Sequence, residues 1–273
     1  MKKVTDQELK QINLEMLCYF DKVCRENNIN YSITGGTLLG AVRHKGFIPW
    51  DDDVDVFLPR PEFEKLNDVF PDEGRYVWKT RKKDPSFKFV YGRLLDTKTI
   101  ILDAGGMASE GQGIFLDVCV VDGLPRNKFF RILHIFIIQL LFRGRRTVVY
   151  DKSRPEFSEG NFVMQILKRM VLKITDLEFW MKKLDKAMRK YPFNAGEYVG
   201  NFASRYGKRE LIHRNAFDSY IDLEFEGQRF MACQGWQEYL KNIYGNYMEL
   251  PPVEKRIGHH VGTPYWVDEL EED

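Results

Sequence analysis

Net charge and cysteine are both scarce in this chain. The 41 basic and 40 acidic residues leave a net charge of +1 at pH 7, which argues against a protein that binds nucleic acid over its whole surface. The four cysteines show no CxxC spacing, so we expect reduced, structural thiols in a cytoplasmic protein. No apolar run approaches the roughly 20 residues of a membrane-spanning helix, and residues 1–8 lack the apolar segment of a signal peptide.

Apolar and aromatic residues are plentiful, at 44% and 14% of 273 residues, which is enough for one large core or two modest ones. A Thr5–Glu8 capping box predicts the start of a first helix that ends near residue 28. Short alternating segments then predict strands between helices. The predicted helices span 37–43 and 62–70, and the predicted strands span 31–33, 53–58, 76–79, 87–95 and 114–121. This order predicts an α/β or α+β fold.

Composition divides the chain into three parts. Residues 1–125 form the predicted α/β core, and residues 126–215 are predicted to be mainly helical, with a loop at 153–160. Residues 216–273 contain a predicted hairpin turned through Glu226-Gly227 and a predicted helix at 236–244. We expect this last part to return to the functional site and complete it.

A glycine turn followed by a knot of aspartates is the most informative segment. Gly35-Gly36 precedes a short predicted helix, and helix N-termini that follow glycine turns commonly bind phosphate. Aspartates placed so closely repel one another, so a folded chain keeps them together mainly to hold a cation. The combination indicates metal-assisted chemistry on a phosphate ester; the aspartates are Asp51, Asp52, Asp53 and Asp55.

Three other kinds of acidic segment share part of this pattern. An EF-hand calcium loop requires glycine where this chain has Val56, and its flanking helices would be broken by Pro49 and Pro59. A DxD glycosyltransferase normally places a nucleotide-binding half of about a hundred residues before the motif, whereas only about fifty precede it here. A solvated acidic loop fits poorly because strand alternation puts Asp53 and Asp55 on one face and apolar residues on the other.

Asp117 interrupts an otherwise apolar predicted strand. A buried, unpaired carboxylate is costly, so Asp117 should either bind a metal or pair with a base such as Arg93. A neighbouring strand would place Asp117 beside Asp53 and Asp55. Carboxylates on adjacent strands can hold one or two Mg²⁺ ions for phosphoryl transfer.

The string GTLLGAVRHKGFIPWDDDVD resembles the signature of the LicD family, which includes the fukutin-type transferases. Residues 113–122 and 244–252 resemble that family too, as do Arg256 and the pair His259-His260. The arrangement of glycine turn, Asp-x-Asp strand and further Asp is similar to the DNA polymerase β-like nucleotidyltransferase fold. The resemblance implies that such a core is followed by a helical region and a C-terminal extension.

The resemblance also implies an activity. Family members transfer a phospho-alcohol, typically phosphocholine from CDP-choline, to a hydroxyl of a surface glycan such as teichoic acid, lipopolysaccharide or capsule. It implies that Mg²⁺, with Mn²⁺ as a substitute, is held by Asp51, Asp53, Asp55 and Asp117. Asp53, Asp55 and Asp117 would be the catalytic residues, and Asp117 would take the proton of the acceptor hydroxyl. Gly35, Gly36 and Thr37 would approach the diphosphate.

Basic side chains between the turn and the knot are further substrate-binding candidates. Arg43, His44 and Lys45 would form charge-assisted contacts with phosphate, and Arg43 is the best of them because guanidinium binds phosphate through two parallel hydrogen bonds. His44 would be an acid for the leaving group. Arg93 is a substrate-binding candidate as well. The alternative for the first three is a solvated basic turn.

Residues 126–146 form a predicted helix without an acidic residue. Lys128, Arg131, Gln139 and Arg143 fall on one side at 3.6 residues per turn. This pattern predicts either a helix on an anionic membrane surface or a buried helix with basic ends. The first would bring a lipid-linked acceptor within reach and place the protein at the inner face of the plasma membrane.

Two functions of other classes stay open at this point. A glycosyltransferase that uses Asp53 and Asp55 would release a nucleoside diphosphate, whereas the phosphotransferase would release a monophosphate. A membrane-associated, calcium-binding scaffold would bind metal without any dependence on nucleotide.

Overall fold

The computed structural model describes residues 1–71, 73–102, 113–149, 175–256, 258 and 262–267. Over these ranges short strands and helices alternate, which confirms the predicted mixed α/β class. The helices are α1 Asp6–Glu26, α2 Gly35–Arg43, α3 Arg60–Val69, α4 Lys128–Val149, α5 Leu177–Met188 and α6 Trp236–Tyr244. The strands are β1 Ser32–Ile33, β2 Val54–Pro59, β3 Tyr76–Lys79, β4 Gly92–Asp96, β5 Thr99–Leu102, β6 Phe115–Gly123, β7 Tyr198–Gly200, β8 Ile212–His213, β9 Tyr220–Phe225, β10 Gln228–Cys233 and β11 Thr263–Trp266.

The main sheet has the strand order β1-β2-β6-β4-β3. Its central pair, β2 and β6, is parallel, and the other neighbours are antiparallel. The short strands β7 and β8 extend from the end of β6. Because β2 and β6 run in the same direction at the centre, aspartates at equivalent positions on the two strands lie side by side.

Burial of one helical stripe fixes α1 against this sheet. The predicted capping box is present: the Thr5 hydroxyl accepts from the Glu8 amide, and the Glu8 carboxylate accepts from the Thr5 amide. Met16, Leu17 and Phe20 recur at helical spacing and are fully buried in the main core. Full burial of each such side chain contributes roughly 1.5–3 kcal/mol.

A second, smaller core joins the helical part to the sheet. Ile138 of α4 packs with Met181 and Leu184 of α5, and Leu124, just after β6, belongs to the same cluster. The Asp122 carboxylate at the end of β6 receives two hydrogen bonds from the Arg60 guanidinium, at 2.8 and 2.7 Å. This buried pair ties the start of α3 to the strand that carries Asp117.

Two predictions about strands need correction. The strand predicted at 87–95 begins only at Gly92, because β3 is four residues long and its pairing with β4 ends at Lys79 and Arg93. Residues 87–91 lie beyond this pairing, and the rings of Phe87, Phe89 and Tyr91 contact one another in sequence. Strand β5, which pairs with β11, was not predicted at all.

The polar side of α4 differs from the prediction. Gln139 donates to the Phe202 and Ser204 carbonyls, and the Arg131 guanidinium lies 4.3 Å from the Tyr198 ring centroid. Half of the predicted headgroup-facing stripe therefore contacts protein, and the exposed side is apolar. Among the described helices, none combines the length and apolar character that crossing a bilayer requires. The predicted loop at 153–160 and the pair His259-His260 lie outside the described residues.

Candidate active site

Two aspartates and an arginine form a row across three adjacent strands. In the parallel pair of β2 and β6, Asp55 is the register partner of Asp117. In the antiparallel pair of β6 and β4, Asp117 is the partner of Arg93. Register partners project to the same face of a sheet, so the three side chains share one face. This confirms the expectation that a neighbouring strand brings Asp117 beside Asp55.

The glycine turn at the start of α2 lies directly against these carboxylates. Gly35 has a φ of +54°, which favours glycine, and a Cβ built on it would lie 3.3 Å from Oδ2 of Asp55. A Cβ on Gly36 would overlap Oδ2 of Asp51. The close approach explains why both positions are glycine, and it places the N-terminal end of α2 beside the acidic knot.

Backbone contacts hold the knot in place. The Asp55 amide donates to the Thr37 hydroxyl at 2.9 Å, and the Asp55 carbonyl accepts from the Thr34 amide at 3.0 Å. The Asn13 amide group donates to the Asp52 carbonyl at 2.7 Å. Thr37 is buried, so its hydroxyl serves to position Asp55.

Replacing Thr37 by valine should therefore act on the position of Asp55. The buried Asp55 amide loses its acceptor, and we expect the free energy of unfolding to fall by about 1–3 kcal/mol. Thermal or urea unfolding measures this loss. Thr37→Ser keeps the hydroxyl and serves as the control; an equal loss in both variants would contradict this role.

Asp117 and Arg93 form a buried ion pair. Arg93 Nε donates to Oδ1 of Asp117 at 2.6 Å, and Nη2 donates to Oδ2 at 3.3 Å, as does the Tyr91 hydroxyl. The guanidinium lies 3.6 Å from the ring centroid of Phe115 and 4.2 Å from that of Phe89. The sequence allowed Asp117 to bind a metal or to pair with a base, and the structure shows the pairing with a base, Arg93. Arg93 therefore orients Asp117, and its contact with substrate stays a prediction.

Burial and electrostatic repulsion both raise pKa values in the rest of the knot. Asp53 is exposed to solvent, yet the protein atoms packed around its carboxyl, followed by the charges of Asp51, Asp52 and Asp117, raise its pKa to about 7. Burial and the same kind of repulsion, from Asp53 first, raise the pKa of Asp55 well above its usual value. A cation among these oxygens would relieve both effects.

The aspartate oxygens of the knot are chemically suited to a hard cation, but they do not yet converge on one point. Carboxylate oxygens are the ligands that Mg²⁺ prefers. Among the described residues, however, no three acidic, histidine or cysteine side chains converge closely enough to enclose an ion. Side-chain rotation in the knot would have to bring the oxygens together.

The predicted basic residues occupy different environments. Arg43 donates through Nη1 to the Tyr247 and Glu249 carbonyls at 3.1 and 3.2 Å, which anchors the C-terminal segment beside α2. Arg43 Nε donates to Nε2 of His44 at 2.9 Å, and burial followed by the Arg43 charge lowers the His44 pKa. This geometry favours neutral His44, which disfavours the predicted acid role.

The Lys45 side chain is exposed, and its backbone belongs to a clamped loop. The Lys45 carbonyl accepts from the Glu226 amide at 2.8 Å, and Oε1 of Glu226 accepts from the Phe47 amide at 2.9 Å. Glu226 sits at the tip of the β9–β10 hairpin, whose predicted turn is confirmed. The hairpin thus fixes the segment that leads into the aspartates.

Arg205 and Tyr244 interact electrostatically with the aspartates, and neither was predicted as a charged or polar component of the site. The charge of Arg205 opposes the upward pKa shifts of Asp53 and Asp55, and its guanidinium lies 5.3 Å from the Tyr206 ring centroid. Burial and Tyr206, with contributions from Asp55 and Asp51, raise the pKa of Tyr244. The sequence around Arg205 carries no spacing that would have indicated this placement.

Comparison with known proteins identifies the family of this chain. Residues 28–119 match the family model described as "LicD/FKTN/FKRP, nucleotidyltransferase domain". The chain is 33% identical to the lipopolysaccharide cholinephosphotransferase LicD of Haemophilus influenzae, over 97% of this chain and 99% of that protein. An uncharacterized protein of Rickettsia prowazekii is 50% identical over 17% of each chain, and one of Rickettsia typhi is 36% identical over 26% of this chain and 23% of its own. The chain therefore belongs to the LicD family.

Proposed function

We propose that this protein transfers phosphocholine from CDP-choline to a hydroxyl of a cell-surface glycan and releases CMP. The row of Asp55, Asp117 and Arg93 beside the Gly35-Gly36 turn carries this proposal. The full-length relationship to a lipopolysaccharide cholinephosphotransferase supports it. Lipopolysaccharide is the favoured acceptor, and teichoic acid and capsule are alternatives to be tested.

The proposed core is of the DNA polymerase β-like nucleotidyltransferase type. The parallel pairing of β2 with β6 and the antiparallel pairing of β1 and β4 on either side support it. In this arrangement the aspartates lie next to the N-terminal end of a helix. The helix N-terminus is suited to the phosphates of a nucleoside diphosphate that carries an esterified alcohol, and the aspartates are suited to a cation bound to those phosphates.

Asp51, Asp53, Asp55 and Asp117 are the proposed ligands of Mg²⁺ or Mn²⁺. When bound, the ion supplies Lewis-acid stabilisation of the phosphate oxygens. The raised pKa values of Asp53 and Asp55 support a cation there, because burial and, after it, repulsion from neighbouring carboxylates raise them, and a cation would offset both effects. Arg93 then keeps Asp117 aligned with the row.

The chain's own groups have the following proposed roles. Backbone amides at Gly36 and Thr37 orient the diphosphate. Asp117 accepts a hydrogen bond from the acceptor hydroxyl and takes its proton as the hydroxyl oxygen bonds to the phosphorus that carries choline. The bond from that phosphorus to the oxygen of CMP breaks, and CMP leaves with the electron pair. Fixed charges near the developing oxyanion account for most of such rate enhancements.

Incubation with a panel of cytidine diphosphate alcohols, Mg²⁺ and a lipopolysaccharide acceptor tests this function. We expect acceptor-dependent CMP release with CDP-choline as the best donor, and transfer of labelled choline to the glycan. Release of a nucleoside diphosphate from a nucleotide sugar would instead identify a glycosyltransferase. Calcium binding that is indifferent to nucleotide, without turnover, would identify a non-enzymatic scaffold.

Arg205 is proposed to bind the phosphates of the donor once a cation neutralises the aspartates. Replacing Arg205 by glutamine should raise the KM for CDP-choline about tenfold or more, as expected for loss of a charge-assisted contact. Initial-rate measurements over a range of donor concentrations check this effect. Lys208→Gln, an exposed charge nearby in sequence, is the matched control and should leave KM unchanged.

A further inference from the structure

One side of α4 is apolar and exposed. We call this the α4 face; its members are between 42% and 70% exposed and comprise Phe129, Phe130, Ile132, Leu133, Phe136 and Leu140. At 3.6 residues per turn they cover about 160° of the helix circumference. Contiguous apolar patches of this kind on a soluble surface commonly mark an interaction site.

The opposite side of α4 already provides the packing that the fold needs. Ile135 and Ile138 are buried against the second core, and Arg145 Nε donates to the Lys88 carbonyl at 3.0 Å. Gln139 donates to carbonyls of the segment before Arg205. The α4 face is therefore not needed to hold the helix on the protein.

The charges on α4 itself have one sign. No acidic residue occurs between Gly123 and Tyr150, and Arg126, Lys128 and Arg143 are exposed near the two ends of the helix. A second copy packed antiparallel on this face would set Lys128 against Arg143, so like charges would oppose that pairing. An anionic surface that also accepts apolar side chains would match both the basic ends of α4 and its exposed apolar face.

We propose that α4 docks on an anionic lipid bilayer, with its axis parallel to the surface and the α4 face among the acyl chains. The helix has 22 residues, which is about 33 Å at 1.5 Å per residue. Arg126, Lys128 and Arg143 would meet the headgroups at its ends. Docking of this kind does not depend on the transfer reaction proposed above, although it would bring the site to acceptors that are anchored in lipid.

Sedimentation of the full-length protein with vesicles tests the docking. We expect the protein to bind vesicles of phosphatidylglycerol and phosphatidylcholine in equal parts, and to bind phosphatidylcholine vesicles much less. F136S/L140S should lower the bound fraction about tenfold or more, because binding scales with inserted apolar area. Val69→Ser, which changes an exposed apolar residue on α3, is the matched control and should bind like the unaltered protein.

A charge variant gives a second, independent measurement. K128Q/R143Q should weaken binding to the phosphatidylglycerol vesicles and reduce its sensitivity to salt. Circular dichroism and the thermal midpoint should match those of the unaltered protein for every variant, since all the altered side chains are exposed. Failure of the unaltered protein to bind the anionic vesicles would overturn the proposal. So would a concentration-dependent dimer that F136S/L140S abolishes, because the occupant would then be a second copy.

Discussion

Asp53→Asn and Asp55→Asn are each expected to lower transfer of choline phosphate about a thousandfold or more and yet to stabilise the protein without metal. The loss of activity follows from removing an anionic oxygen that the proposed Mg²⁺ site requires. The gain in stability follows from removing a carboxylate whose ionisation the fold opposes, since the pKa of both groups is raised in the folded state.

The sign of this stability effect depends on pH. A carboxyl with a raised folded pKa binds its proton more tightly in the folded protein, so the free energy of unfolding falls as pH rises from about 4 towards the folded pKa. For Asp53 the folded pKa is about 7, so most of the penalty is present above pH 7. Asp53→Asn should be more stable than the unaltered protein at pH 8 and nearly equal to it at pH 4.

Urea unfolding in a chelator at the two pH values, combined with CMP release in Mg²⁺, measures both effects. Asp52→Asn is the matched control, because Asp52 contributes its carbonyl to Asn13 and is not a proposed ligand; it should stay within about fivefold of full activity. An Asp53→Asn or Asp55→Asn protein with full turnover would remove these residues from the mechanism.

Arg93→Met is expected to destabilise the protein by about 3 kcal/mol, because it leaves Asp117 without its partner in a mostly buried position. The methionine replaces the stem of arginine between the rings of Phe89 and Phe115, so the loss reflects charge more than packing. Activity should fall as well, since Asp117 loses the two hydrogen bonds that align it.

Comparing Arg93→Met with a double variant separates the role of Arg93 in orienting Asp117 from its effect on stability. Arg93→Met with Asp117→Leu should recover most of the lost stability and remain inactive, because no unpaired charge is left but a catalytic oxygen is missing. Added Mg²⁺ should raise the thermal midpoint of Arg93→Met more than that of the double variant. Equal responses would place Asp117 outside the metal site.

Local patterns predicted the parts of the fold that depend on neighbouring residues. The Thr5–Glu8 box, the alternation around Asp55 and the Glu226-Gly227 turn are each decided within a few residues of sequence, and each matches the structure. The pairing of Asp55 with Asp117 was predictable because a lone aspartate in an apolar strand requires a partner. The two possible partners of Asp117 could not be separated in advance, since strand register decides which one is near.

Features that depend on distant contacts were missed. The short strand β5 forms because β11 pairs with it from the other end of the chain. The side of α4 that faces protein is set by α5 and by the carbonyls of Phe202 and Ser204, which helical periodicity alone cannot reveal. Arg205 lies in a loop with no motif of its own, so its electrostatic effect on Asp53 and Asp55 was not predicted.

The clamp made by Glu226 has a consequence for the order of folding. It joins residues 179 positions apart, and the same hairpin donates the Cys233 amide to the Ser32 hydroxyl at 3.0 Å. Most of the polypeptide must therefore be synthesised before Glu226 can bind the loop that precedes the aspartates. Contacts between residues so far apart in sequence form slowly during folding. Residues 28–119, which match the family model, do not include Glu226. An isolated fragment of that length would therefore lack the hydrogen bond from Phe47 to Glu226 that holds the loop before the aspartates.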